Sequence, residues 1–217
     1  MFIPAPFWSG TAGGGGGVTG LVYYFAEVLP SPAESLQAPP TTERADFLAR
    51  LTVSGSEGWE SGVSLGDPMD AYAFSTNGVT ATISTACAYS VFIDVPFDGL
   101  FNTTPGGSFY AQMGFDDGAA GIVPVTFTFS TPVAAFGCYF TDIGDFGGEL
   151  TATLYKTGGG TEVYPIPSIS GTTGWLAFWG FVDNTGQTYD SIELVSDDIS
   201  EAVAIDDVVM ATFAQLA

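Results

Sequence analysis

Histidine is absent from this chain of 217 residues, and positive charge is nearly so: Arg44, Arg50 and Lys156 stand against 24 acidic residues, a formal charge of −21. Each shortage excludes something. Without histidine the commonest general base and the commonest transition-metal ligand are gone, and a Ser-His-Asp triad cannot be built. Without a basic footprint the phosphates of DNA or RNA cannot be neutralised, so nucleic acid is excluded as a partner, and an anionic membrane surface by the same argument. No stretch approaches the roughly 18–20 apolar residues that span a bilayer. Cysteine is scarce as well. Cys87 and Cys138 each sit in an apolar, strand-like run, and spacing leaves open whether they form a disulfide or remain two buried thiols. The glycine runs lack the following helix and lysine of a phosphate-binding loop.

The opening residues, MFIPAPFWSGTAGGGGG, contain no basic segment and no unbroken apolar run, so they do not read as a secretory signal. The expectation is a protein that leaves its cell by lysis, by a dedicated export route or inside a particle. What is plentiful is apolar: 46% of residues, against 12% charged, a balance that favours a folded chain over a disordered one. The surplus of negative charge works against compactness and is relieved by a bound cation or a basic partner surface. Only oxygen ligands abound, so a bound metal is expected to be hard, Ca²⁺ first.

Residues 1–40 differ from the rest. Gly13 to Gly17 form a five-glycine run, Phe7 and Trp8 precede it, Tyr23, Tyr24 and Phe25 follow it, and four prolines lie between 30 and 40. This reads as an extended arm whose exposed aromatic residues, Phe7, Trp8, Tyr23, Tyr24 and Phe25, contact a partner. Residues 41–51 (TTERADFLARL) form the one helical stretch, capped by Thr41 or Thr42, with Ala45, Phe47, Leu48, Ala49 and Leu51 on its apolar face. From about 52 the apolar residues alternate. Val125, Phe127 and Phe129 alternate with Thr126 and Thr128, and Leu150, Ala152 and Leu154 with Thr151, Thr153 and Tyr155. Similar runs at 79–84, 89–95, 108–114, 133–141, 161–167, 175–182, 191–194 and 202–213 are separated by Gly- and Asp/Asn-rich turns. About ten short strands at this spacing, with no crossover helices, predict an all-β chain: an antiparallel jelly-roll β-sandwich over 41–217, preceded by the arm.

ADFLARL (45–51), SEGWESG (56–62), FNTTPGGS (101–108), FTFSTPVAAFGCYFTDIGD (127–145) and AIDDVVM (204–210) together resemble a domain of bacterial exported proteins of the PEP-CTERM type. The final Ile-Asp-Asp strand is also similar to the last strand of carbohydrate-binding-like jelly rolls and MAM-type modules. The resemblance implies a jelly-roll sandwich, often with a structural calcium, and no enzymatic activity; Glu57 matches the first-strand acid of those folds. The aromatic, glycine-rich N-terminus is similar instead to those of bacteriophage virion proteins.

Asp206 and Asp207 interrupt an apolar strand, so one must point inward or lie at a bulge. With so few cations a salt bridge is not expected, which leaves a metal or backbone N–H groups as partners. Asp142 and Asp145 add a second pair on a glycine loop. The expected calcium ligands are therefore Glu57, Asp142, Asp145, Asp206 and Asp207. Trp175 and Trp179 share one face of a strand and are the candidates to stack on sugar rings, unless they are core. Many acids are present, but nothing picks out a glycosidase pair, so no catalytic residue is assigned. The sequence reading is a non-enzymatic virion structural protein, a head decoration, cement or fibre-type subunit. Its partners are other virion proteins or further copies of itself, with a trimer the first expectation. The alternative is an exported carbohydrate-binding or adhesion module at the cell surface, with glycans as ligands; a glycan hydrolase is the third reading.

Overall fold

In the computed structural model the described residues are 20–28, 36–85, 91–97, 99–116, 121–144, 149–167 and 175–217. They form two six-stranded antiparallel sheets, a sandwich of the jelly-roll kind. The strands are β1 (Leu21–Val28), β2 (Ala73–Thr76), β3 (Val79–Thr85), β4 (Val91–Asp94), β5 (Tyr110–Gly114) and β6 (Val125–Val133). They continue as β7 (Ala135–Thr141), β8 (Leu150–Lys156), β9 (Thr161–Ile166), β10 (Leu176–Asp183), β11 (Tyr189–Ser196) and β12 (Ala202–Ala211). One sheet runs β1-β10-β7-β12-β5-β4 and the other β2-β3-β6-β11-β8-β9. The main core between them includes Trp59, Phe127, Phe136, Trp179, Ile192 and Met210.

The two sheets differ on their outer faces. The first is covered by the helix α1 (Pro40–Leu48) and by the segment around Phe101, so every residue of β7 and β10 is buried. Strands buried on both faces read as continuous apolar runs rather than as alternation. Phe47 explains how the helix gets close enough. Its ring meets Tyr24 edge-on at 5.6 Å and Phe178 at 5.5 Å, over the paired residues Gly137 and Gly180. A Cβ on Gly137 would lie 3.0 Å from Cζ of Phe47, and one on Gly180 would lie 2.9 Å from the Phe136 carbonyl oxygen. The glycine pair is the dimple that admits the ring.

The second sheet keeps a polar outer face, and its strands alternate as the sequence predicts. Cross-strand register lines its outward residues into rows. One row is Thr82, Thr128, Ser191, Tyr155 and Thr161; the next is Ser84, Thr126, Glu193, Thr153 and Val163.

Three expectations are corrected. Leu21–Val28, read as arm, is an edge strand paired with β10 over its whole length, so this part of 1–40 belongs to the sandwich. Tyr24 is buried under the helix, Tyr23 lies against Tyr164 at 3.9 Å, and Phe25 packs on the core. These three rings serve the chain itself, whereas Phe7 and Trp8 lie outside the described residues. The helix begins at Pro40, not at a threonine cap, because proline fits a first turn whose N–H groups have no intrahelical acceptor; it ends at Leu48, leaving Ala45 and Ala49 exposed. A short 3₁₀ turn, Phe213–Gln215, is also present.

Replacing Phe47 by Ala should cost about 3–5 kcal/mol of stability, the usual range for emptying a buried aromatic site. Urea unfolding measures it, and a loss below about 1 kcal/mol would show that the helix is not anchored by this ring.

Candidate functional site

The C-terminal strand carries its two aspartates at an irregularity. Pairing between β12 and β7 shifts register between Asp206 and Val209, and Asp207 has φ 51°. Aspartate tolerates this left-handed conformation better than most residues. The shift turns consecutive carboxylates towards one neighbourhood, which the expectation of a bulge anticipates.

Three segments close around them. Ser56–Glu60 docks on β12 through Glu57 and Val208, whose backbones exchange hydrogen bonds of 2.8 and 2.9 Å. Trp59, at φ 58°, donates its indole N–H to the Ile205 carbonyl at 2.9 Å. The loop after Phe101 is anchored by the Phe101 N–H, which donates to Thr141 Oγ1 at 3.0 Å. Glu60 holds the far end of that loop, accepting from Asn102 Nδ2 at 2.7 Å, from Ser108 N at 2.8 Å and from Phe109 N at 3.0 Å. Gly58 has to lack a side chain, since a Cβ there would fall 2.0 Å from Thr104 Oγ1.

Asp206 is 1% exposed. Its Oδ2 accepts from Thr103 N at 2.6 Å, from Thr103 Oγ1 at 3.0 Å and from Thr104 N at 3.1 Å, while Oδ1 accepts from Asp207 N at 2.8 Å. Asp207 accepts from Ser56 Oγ at 3.0 Å and lies 3.9 Å from Arg44 Nη2. Arg44 also sits over the Tyr139 ring at 5.6 Å. The expectation that no salt bridge would form is thus corrected: one of the three cations reaches this pair from the helix.

Protons are short in the nest. Thr103 Oγ1 is 3.0 Å from Asp206 Oδ2 and 3.2 Å from Asp207 Oδ2, and Thr104 Oγ1 is 3.4 Å from an oxygen of each carboxylate. A hydroxyl has one hydrogen, so each threonine serves one aspartate at a time. Burial pushes the Asp206 carboxyl up to about 7; the Asp207 charge adds to this, and the N–H bonds from Thr103 and Asp207 oppose it. A proton on Asp206 supplies the missing donor. Cys138, a buried free thiol, is pushed up by burial and by the Asp206 charge. Cys87 lies outside the described residues.

Among the described residues, the carboxylates expected to hold calcium do not gather as a set of three or more. Ca²⁺ takes six to eight oxygens, and the groups converging on Asp206 and Asp207 are N–H and O–H donors. Glu57 turns back on its own segment, accepting from Trp59 N at 2.8 Å, and burial raises its pKa. Asp142 is buried at the end of β7, where its N–H donates to the Trp175 carbonyl at 2.8 Å. Asp145 lies outside the described residues. Among those described, no three metal-ligating side chains come together. Trp175 and Trp179 are each 2% exposed and belong to the core, so they offer no stacking face, which corrects their assignment to sugar binding.

No protein-family model matches this chain, and no curated protein matches it. Among solved structures it is similar to the carbohydrate-binding module TmCBM61 in complex with β-1,4-galactotriose, with a TM-score of 0.35, 14% identity and coverage of 61% of this chain and 88% of the module. It is also similar to the enzymatically active domain of tailspike protein 4 of bacteriophage CBA120, with a TM-score of 0.33, 17% identity and coverage of 63% of this chain and 19% of that chain.

Sequence reasoning missed the partners, not the aspartates. Thr103, Thr104, Ser56, Glu60 and Arg44 each belong to a segment quoted for the family resemblance or to the residue before one.

The nest makes stability depend on pH. A carboxyl whose folded pKa lies above its unfolded value binds more protons in the native state, so its contribution is complete at low pH and is lost as pH rises. For Asp206 the window runs from its ordinary 3.8 to about 7, worth roughly 4 kcal/mol at most. Urea midpoints from pH 4 to 8 should fall through this window, and Asp206→Asn should flatten the slope. An unchanged slope in the variant would assign the titration elsewhere.

Proposed function

We propose that this chain is a non-catalytic assembly module, first of all a structural subunit of a bacteriophage virion, of the decoration, cement or fibre type. The observation that carries the non-catalytic part is the closure of the aspartate pair. Asp206, the carboxyl poised near neutrality, is the kind of group a hydrolase uses as its general acid, yet both its oxygens are filled by donors of its own chain and it is 1% exposed. A general acid must reach the proton acceptor of its substrate. A carboxylate that ties the Thr103–Thr104 loop to β12 acts as a fastening.

The assembly part rests on where the N-terminal residues enter the sandwich. β1 is the last strand of its sheet, and the residues ahead of it include Phe7, Trp8 and the five-glycine run. A sheet edge is a natural template for association, and aromatic side chains anchor interfaces disproportionately. The partners on this reading are further copies of the chain, a trimer first, or neighbouring particle proteins.

Sedimentation velocity of the full chain tests the reading. A defined oligomer is expected, shifting towards monomer by at least tenfold in dissociation constant when Phe7 and Trp8 are both replaced by Ala, with an unchanged melting temperature. A monomer at all concentrations would overturn assembly. Release of reducing ends from any polysaccharide, abolished by Asp206→Asn, would overturn the non-catalytic assignment.

A further inference from the structure

The aspartate nest leaves the largest regular feature of the molecule without a role: the outer face of the sheet β2-β3-β6-β11-β8-β9. We infer that this face binds a neutral polysaccharide, with the Tyr155 ring as its stacking platform and Glu193 as its hydroxyl acceptor.

Four observations point to that ligand. The first is order. Outward residues on adjacent strands stand about 4.8 Å apart, and successive outward residues on one strand about 6.8 Å apart. Cross-strand register places Thr128 and Ser191 beside Tyr155, and Thr126 and Thr153 beside Glu193. Threonine is stiff at its first side-chain torsion, so these hydroxyls are held in place before a ligand arrives.

The second is charge. The chain carries −21, but these two rows contain one carboxylate and no cation, and Lys156, at the end of β8, is paired with Glu162. A phosphate, sulfate or uronate chain finds no counter-charge here and meets an acidic protein around it, whereas a neutral chain meets neither obstacle.

The third is a ring with an oriented acceptor. Tyr155 is 37% exposed and donates its hydroxyl to Glu193 Oε2 at 3.3 Å. The other lone pairs of that carboxylate suit sugar hydroxyls, which are donors in adjacent pairs. Val163, 59% exposed on the neighbouring strand, extends the apolar surface beside the ring.

The fourth is what the face lacks. The centre of a protein–protein interface is richer in apolar and aromatic residues than the general surface; here the middle strands present hydroxyls and Glu193 with Val195 as their one outward apolar residue, and Tyr155 and Val163 lie towards one edge. A few placed polar groups beside a ring can orient a polar ligand and set its specificity.

Electrophoresis of the full chain through gels containing dextran, amylose, xylan, galactan or a β-1,3-glucan, with polygalacturonate as the anionic comparison, tests the inference. At least one neutral polysaccharide should retard the protein, and polygalacturonate should not. Tyr155→Ala and Glu193→Gln should each weaken the retardation at least tenfold at an unchanged melting temperature. Thr153→Lys, which places a cation in the second row, should do the same even if either of the first two fails to fold. No retardation by any neutral polymer, retardation that survives all folded variants, or preference for polygalacturonate would overturn the inference. So would a protein partner lost on Thr153→Lys with no glycan bound at all. Binding is read apart from assembly: a Phe7/Trp8 variant that is monomeric but still retarded separates the two.

Discussion

Two carboxylates on consecutive residues of a strand buried on both faces are the constraint around which this sandwich is arranged. Taking a charge out of water is costly unless donors replace the water, and the chain has only three cations with which to do it. The donors are therefore backbone N–H groups and hydroxyls, and they have to be brought from far along the sequence. The loop at Thr103 and Thr104 is held by Glu60, the Glu60 segment is pinned by Glu57 and Trp59 to β12, and the helix delivers Arg44. Satisfying one buried pair thus fixes the path of three segments that make no strand of their own. Trp59 and Asp207 both take left-handed backbone there, a local strain that persists only where the surroundings overdetermine it.

The same constraint makes the two faces unlike. Because Phe47 and the Phe101 segment close the outer side of the first sheet, a second, smaller core lies there beside the main one between the sheets. The second sheet is left with one wet face, where side chains alternate in the ordinary antiparallel manner. Its two outward rows are mostly threonines and serines, with Glu193 their one carboxylate. The acids instead cap turns: Asp183 accepts from Thr185, Asp198 from Ser200 and Asp67 from Ser64.

How legible this was depended on the kind of signal. Alternation exposed the wet sheet, since Thr126–Thr128 and Thr151–Thr153 mark every second position. It was silent for β1, whose run LVYYFAEV has apolar residues on both faces because the helix lies over one and the core under the other. Ring-rich residues without periodicity look the same in a free arm and in a covered edge strand. Burial likewise cannot be read from residue type, so Trp175 and Trp179 were as compatible with a ligand face as with the core they occupy. The aspartates stood out because acids inside an apolar strand violate local preference, which is where functional or strained positions are expected. Their partners did not, because a threonine in a turn is what any turn contains; only the fold brings position 103 to position 206.

Closure of one face and openness of the other separate stability from recognition. Changes at Phe47, Gly137, Gly180 or the threonines of the nest propagate through packed contacts and shared protons, so that surface is held by the demands of folding. Changes at Tyr155, Glu193 or Thr153 remove no core contact and strand no buried donor, and exposed substitutions of this kind ordinarily alter stability by less than about 0.5 kcal/mol. A sandwich so divided can alter its open face without altering how it folds, which is what the proposed assembly role requires. On the inferred binding of a neutral polysaccharide, discrimination between ligands comes from which hydroxyls a ligand aligns with the rows, not from charge.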